Sequence, residues 1–150
     1  MIPDHIQQLL RSEGLQALEF ESGSTPTAEA AAARIGVAVA QIAKSLLFRT
    51  KSGEYVMVVV CGDRRVSSPK LKALVGSKCS MTSAEETERI TGFRPGGVCP
   101  FGVNGIPIYL DEGLGEYDVV YPAAGTDASG VPMSYEHLCS VTGGIPADVV

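Results

Sequence analysis

Two short stretches carry residues able to do chemistry. Lys44 lies in the run Ile42-Ala43-Lys44-Ser45-Leu46-Leu47-Phe48, where every neighbour except Ser45 is apolar. An ammonium placed among core residues must reach water or a partner. Two readings follow from the residues alone: Lys44 points outward as a solvated lysine, or it stands at the mouth of a sheet-lined cleft and holds a phosphate, a carboxylate or a developing oxyanion. The second stretch, RPGGVCPFG from Arg94 to Gly102, packs three glycines, two prolines and one cysteine into nine residues. Gly96 and Gly97 permit positive φ and close approach of a ligand to the chain. Pro95 and Pro100 stiffen the loop and carry no N–H of their own. Such a loop serves as a plain turn, as an oxyanion hole built from its remaining N–H groups, or as a platform presenting Cys99.

A nucleophilic Cys99 needs a lowered thiol pKa and a positioned base. The only histidines are His5 and His137, both in predicted helices distant in sequence. No G-x-S-x-G elbow, G-x-G-x-x-G turn or Walker loop occurs, which removes the main support for a serine hydrolase or a nucleotide-binding site. Cys61, Cys79, Cys99 and Cys139 are widely spaced without a C-x-x-C pair, so they read as free thiols of a reducing compartment rather than zinc ligands. No metal or cofactor is expected.

The elements that must position these stretches alternate along the chain. Pro3 and Asp4 open an amphipathic helix that Gly14 closes, and Leu15 to Glu21 alternate like a strand. Thr25 or Thr27 caps an alanine-rich helix stopped at Gly36. IAKSLLFRT and YVMVVVCG, joined by KSGE, predict an antiparallel hairpin, and the second run is apolar enough for a central strand buried on both faces. Ser68 with Pro69 predicts one helix start, and a Ser83/Glu86 capping box another. IPIYLDE and YDVVYPAAG read as strands, and Ser134 to Gly143 as a closing helix. The pattern predicts one α/β domain over residues 1–150, with a mixed, mainly antiparallel twisted sheet and flanking helices.

A chain of 150 residues is long enough to bury about two-thirds of its unfolded surface. No apolar run approaches the roughly 18 to 20 residues of a membrane span, and the start, with Asp4 and Glu13, is unlike a signal peptide. A cytoplasmic protein is expected. The net charge is −5, yet Lys44 to Arg94 holds ten Lys/Arg against five Asp/Glu. A basic middle within an acidic remainder is either drift of surface loops or the footprint of a phosphate-bearing partner.

Four segments, TAEAAAARIGVAVAQIAKSLLFR, VMVVVCGDRRVSSPKLKALVG, ITGFRPGGVCPFG and AAGTDASGVPMSYEHLCSVTGG, resemble in order the YbaK and prolyl-tRNA-synthetase-associated editing domain family. The most specific pieces are the I-A-K-S-L strand, Gly62-Asp63 after the apolar strand, and the G-x-x-x-P loop. The resemblance implies an α/β fold and hydrolysis of the ester of mischarged aminoacyl-tRNA, here by a free-standing protein. The mischarged tRNA, on tRNA(Pro) or a related tRNA, and a prolyl-tRNA synthetase are the implied partners. Lys44, Gly96 and Gly97 are then the implied catalytic positions, with Ser45, Asp63, Val98, Cys99, Pro100 and Tyr121 in contact with substrate. The family uses no protein nucleophile. Tyr121 stands before Pro122 where the alanine-editing branch carries histidine, and AAGT resembles the branch that includes Cys-tRNA deacylases. Such editing is needed because a synthetase pocket discriminates one methylene by only about 1 to 3 kcal/mol. A tRNA- or synthetase-binding module without hydrolysis, and a hydrolase using Cys99, are the competing readings.

Overall fold

The computed structural model describes residues 1–150. Helix α1 (Asp4–Ser12) follows Pro3, and a short strand β1 (Leu18–Glu19) follows it. In α2 (Ala28–Ile35) the Thr27 hydroxyl accepts from the Ala30 N–H at 3.1 Å, and Gly36 closes the helix in the left-handed conformation. A single 3₁₀ turn then leads into β2 (Ile42–Thr50) and β3 (Tyr55–Cys61). The remaining elements are α3 (Ser68–Val75), β4 (Cys79–Met81), α4 (Ala84–Thr91), β5 (Ile108–Asp111), a second 3₁₀ helix (Glu112–Glu116), β6 (Tyr121–Pro122), β7 (Ser129–Gly130), α5 (Tyr135–Thr142) and β8 (Ile145–Ala147). None of the helices is long and apolar enough to cross a membrane.

The main sheet is mixed, as the alternation of elements predicts. Its order is β4-β2-β3-β5-β8, with β6 also paired to β2. The long ladder is antiparallel, running from Ala43 opposite Cys61 to Arg49 opposite Tyr55, and β4 continues antiparallel on the other edge of β2. The three short pairings β2–β6, β3–β5 and β5–β8 are parallel. The hairpin link closes where Thr50 N–H donates to the Glu54 carbonyl at 2.8 Å.

Strand β3 is the centre of the core, and Val56 to Cys61 are at most 4% exposed. Met57, Val59 and Cys61 face a cluster that contains Ile6 and Leu10 of α1, Phe93 and Phe101. Val56, Val58 and Val60 face a second cluster with Leu71 of α3 and Val149. Apolar side chains on both faces are what a strand covered from two sides requires, so the unbroken apolar run has its physical reason.

Several expectations are corrected. The N-cap of α3 is Ser67, whose hydroxyl accepts from Lys70 N–H while its own N–H donates to the Val149 carbonyl; Ser68 is the first helical residue. Ser83 caps α4, but the Glu86 carboxylate is drawn away from the cap to the Tyr55 hydroxyl at 2.6 Å and to Arg49 at 3.3 Å. The predicted strand of residues 15–21 shrinks to Leu18–Glu19 because β7 offers only two residues to pair with. YDVVYPAAG forms only Tyr121–Pro122 and a bridge from Val120 to Met133, since Pro122 has no N–H with which to extend a ladder.

Phe101 is 1% exposed within the larger cluster. Phe101→Ala is expected to cost about 3 to 5 kcal/mol of unfolding free energy, read as a fall in the denaturant midpoint.

Candidate functional site

Along one edge of β2, β6 covers Ile42 and Ala43 and β4 covers Phe48 to Thr50. Between them lies a cavity of about 370 Å³. Lys44, Ser45, Leu46 and Leu47 all line it. Successive side chains of a strand point to opposite faces, so a space touching four consecutive residues must sit at the strand's edge rather than over one face. The other walls are Thr25 to Ala28 with Ala31 at the start of α2, Met81 and Thr82 after β4, Pro95, Gly96 and Val98 of the glycine loop, and Tyr121 with Ala123 at β6.

Lys44 is the only charged residue of this wall. It is half-buried, and its Nζ donates to the Gly62 carbonyl at 3.4 Å without a carboxylate partner. The reading of Lys44 as a fully solvated surface lysine is therefore set aside. Its positive charge is only partly compensated, which leaves it able to attract an anion.

The glycine loop is shaped by contacts that only glycine permits. Gly96 has φ +92°, and a Cβ there would lie 3.1 Å from the Pro26 carbonyl oxygen. A Cβ on Gly97 would meet the Thr126 backbone at 2.9 Å. Gly97 spends its N–H on the Arg94 carbonyl at 2.9 Å, whereas the N–H groups of Gly96 and Val98 have no acceptor within the protein. Gly96 and Val98 line the cavity; Gly97 does not. Its part is close packing, and the uncommitted donors are its two neighbours. The two segments against which the glycine loop packs are bonded to each other: Thr25 N–H donates to the Asp127 carbonyl at 2.6 Å, Gly23 N–H to the Asp127 carboxylate at 3.1 Å, and Ser129 N–H to the Thr25 hydroxyl at 3.3 Å.

Of the remaining sequence candidates, Ser45 and Tyr121 also reach the cavity. Asp63 is exposed and off its wall, because the chain turns away after Gly62. Pro100 and Cys99 are buried behind the loop. Cys99 is a core residue with 0% exposure, its Sγ 3.8 Å from the Phe101 carbonyl, and burial pushes its thiol up to about 12. His5 packs on Gly102 without a hydrogen bond to Cys99, and His137 pairs with Glu13 at 3.3 Å. With neither exposure nor a bonded base, Cys99 is no nucleophile. Residue types and spacing alone do not single out Met81, Thr82, Thr87 or Ser129 as wall residues, and they assign Thr25 and Thr27 only to capping. The clustering of hydroxyls on both sides of Pro26 and in AAGTDAS was the signal in the sequence.

The sequence profile of the aminoacyl-tRNA editing domain matches residues 22–140. The chain is 39% identical over 121 residues to the uncharacterized protein YwhH of Bacillus subtilis (strain 168), covering 80% of this chain and 76% of that protein. It is 36% identical over 89 residues to a proline–tRNA ligase of Thermosipho melanesiensis, covering 59% of this chain and only 16% of the ligase. A solved structure described as a candidate trans-editing enzyme for prolyl-tRNA synthetase superposes with a TM-score of 0.87 at 36% identity, over 97% of this chain and 94% of that one.

Because Cys99 is fully buried and its burial pushes the thiol up, iodoacetamide at pH 8 is expected to label the half-buried Cys79 and Cys139 well before Cys99. Peptide mass spectrometry of the native protein checks this; equal labelling of Cys99 would contradict its burial.

Proposed function

Because the chain belongs to the aminoacyl-tRNA editing domain family, we propose that it is a free-standing deacylase that hydrolyses the ester of mischarged aminoacyl-tRNA. The observation that supports this most directly is that one cavity is lined both by a single lysine and by Gly96 and Val98, whose N–H groups are uncommitted. Water adds to the ester carbonyl, negative charge gathers on the carbonyl oxygen, and the intermediate expels the ribose oxygen. The water's protons end on the released hydroxyl and on the solvent-equilibrated acid. Donors fixed in the free protein stabilise that oxyanion without reorganising. Lys44 orients the acceptor end and adds positive potential. The reaction so written needs neither metal nor cofactor, and an ester is activated enough to be cleaved by positioning and electrostatics. Tyr121 and the small Ala28 and Ala31 bound the room for the acyl side chain. tRNA(Pro) or a related tRNA is the substrate, and a prolyl-tRNA synthetase a partner.

Arg64 and Arg65 support a nucleic-acid partner. Both are exposed, neither forms a salt bridge, and they lie two and three residues after Gly62, whose carbonyl holds Lys44, with Asp63 between. By contrast Arg49, Lys70, Arg89 and Arg94 each meet a carboxylate.

A panel of mischarged tRNAs is expected to lose at least one ester, with the rate falling about 100-fold or more in Lys44→Ala and unchanged in Cys99→Ala. No turnover across the panel, with tight salt-dependent tRNA binding, would identify a binding module instead. In Arg64→Ala and Arg65→Ala, KM is expected to rise with kcat preserved, and the slope of log KM against log salt to fall by about 0.9 for each phosphate that is no longer neutralised.

A further inference from the structure

The edge of β2 facing the cavity carries a recognition element apart from Lys44 and the glycine loop. In an antiparallel strand the N–H and C=O of one residue point to the same side, and the side alternates along the chain. Thr50 faces β3, since its N–H donates to Glu54. Leu47 faces the other way, since its carbonyl accepts from Thr82 N–H at 3.1 Å and from the Thr82 hydroxyl at 3.2 Å. Ser45, two residues from Leu47, therefore also turns its N–H and C=O away from β3, into the stretch that neither β6 nor β4 covers. It has no hydrogen-bond partner there.

Several hydroxyls of the wall are engaged, whereas the Ser45 Oγ is buried without a partner. The Thr25 hydroxyl accepts from Ser129 N–H, the Thr27 hydroxyl caps α2, and the Thr82 and Thr87 hydroxyls bond each other at 2.7 Å. No carboxylate lines the cavity, so an α-ammonium entering it has no anionic partner. The open acceptors at this edge are the Ser45 carbonyl and, beside it, the unpartnered Ser45 Oγ.

We infer that the main-chain edge of Ser45 reads the aminoacyl group as though it were one residue of a missing antiparallel strand. The Ser45 carbonyl accepts from the α-ammonium, and the Ser45 N–H donates to the ester carbonyl oxygen. This reciprocal pair is what two opposed residues of an antiparallel ladder exchange, and an extended α-amino acid ester presents the matching donor and acceptor. The contact rests on the deacylase reading above. It restricts the substrate to esters of α-amino acids and leaves side-chain selection to the other walls.

The unmodified protein is offered an aminoacyl-tRNA and the matching acyl-tRNA in which hydrogen replaces the α-amino group, with rates divided by each ester's spontaneous hydrolysis. A loss of kcat/KM of about tenfold or more without the amine is expected, as one charge-assisted hydrogen bond is removed. In a second arm, the Ser45 N–H is replaced by an ester oxygen through an α-hydroxy acid incorporated at position 45. The melting temperature is expected to fall only by the weakening of the Lys44 carbonyl as an acceptor opposite Val60, because the N–H itself has no partner in the fold, while kcat/KM falls about tenfold. The same replacement at Leu46, which faces β3, removes a ladder N–H outright and lowers the melting temperature further. Equal normalised rates for the two acyl-tRNAs, or full turnover with the ester at position 45, would overturn the inference and leave the deacylase reading standing. Absence of any turnover by the unmodified protein overturns the deacylase reading. Thermal shifts with a 3′-aminoacylamino-adenosine and its amine-free counterpart then decide the contact: a larger shift with the amine upholds it, and equal shifts overturn it.

Discussion

The ladder between β2 and β3 is the constraint from which the site follows. Its register, Ala43 opposite Cys61 through Arg49 opposite Tyr55, is locked because β3 is buried on both faces. A slip by one residue would exchange the side chains packed on α1 for those packed on α3. With β2 so fixed, Lys44 is held where its Nζ meets the Gly62 carbonyl, at the end of the same ladder. Its other edge is divided between two short strands from different parts of the chain, and the cavity is the interval they leave.

The glycine loop contributes through a division of labour among neighbours. Gly97 closes a turn onto Arg94 and packs on Thr126, which fixes the peptide plane of the next residue. Cys99, Pro100 and Phe101 anchor the far end of the loop in the core. The donors left over are held between two rigid attachments, the arrangement that preorganised stabilisation of charge requires. The thiol that is most conspicuous in the sequence works here as an apolar anchor.

How much of this was legible in the sequence depends on whether each feature is local. Strand β3 announced itself by an unbroken apolar run, and the helix ends by Thr27, Ser83, Ser134 and the glycines that follow each helix. Lys44 stood out because its type contradicts its neighbours. The strands β4, β7 and β8 did not stand out, because two or three residues establish no period. The choice of Ser67 over Ser68 as cap turns on a bond to Val149, about eighty residues away. Which loop N–H groups are free, and the fact that Asp63 faces solvent, were equally hidden, since both depend on partners remote in sequence. The family resemblance placed the right segments in order, but it named the glycine whose N–H is spent together with the two residues whose N–H groups are free.

An unpaired strand edge usually invites trouble, because it is a template for a strand of another chain. Here the open interval of β2 is only a few residues long, bounded at both ends by strands and roofed by the start of α2 and the glycine loop. A second polypeptide would have to displace those walls to add even two ladder bonds. The recess thus separates two uses of the same backbone groups: a single small residue-like ligand can reach them, and an aggregating strand cannot. Widening the interval by shortening β4 or β6 would enlarge the site and at the same time expose the protein to edge-to-edge association.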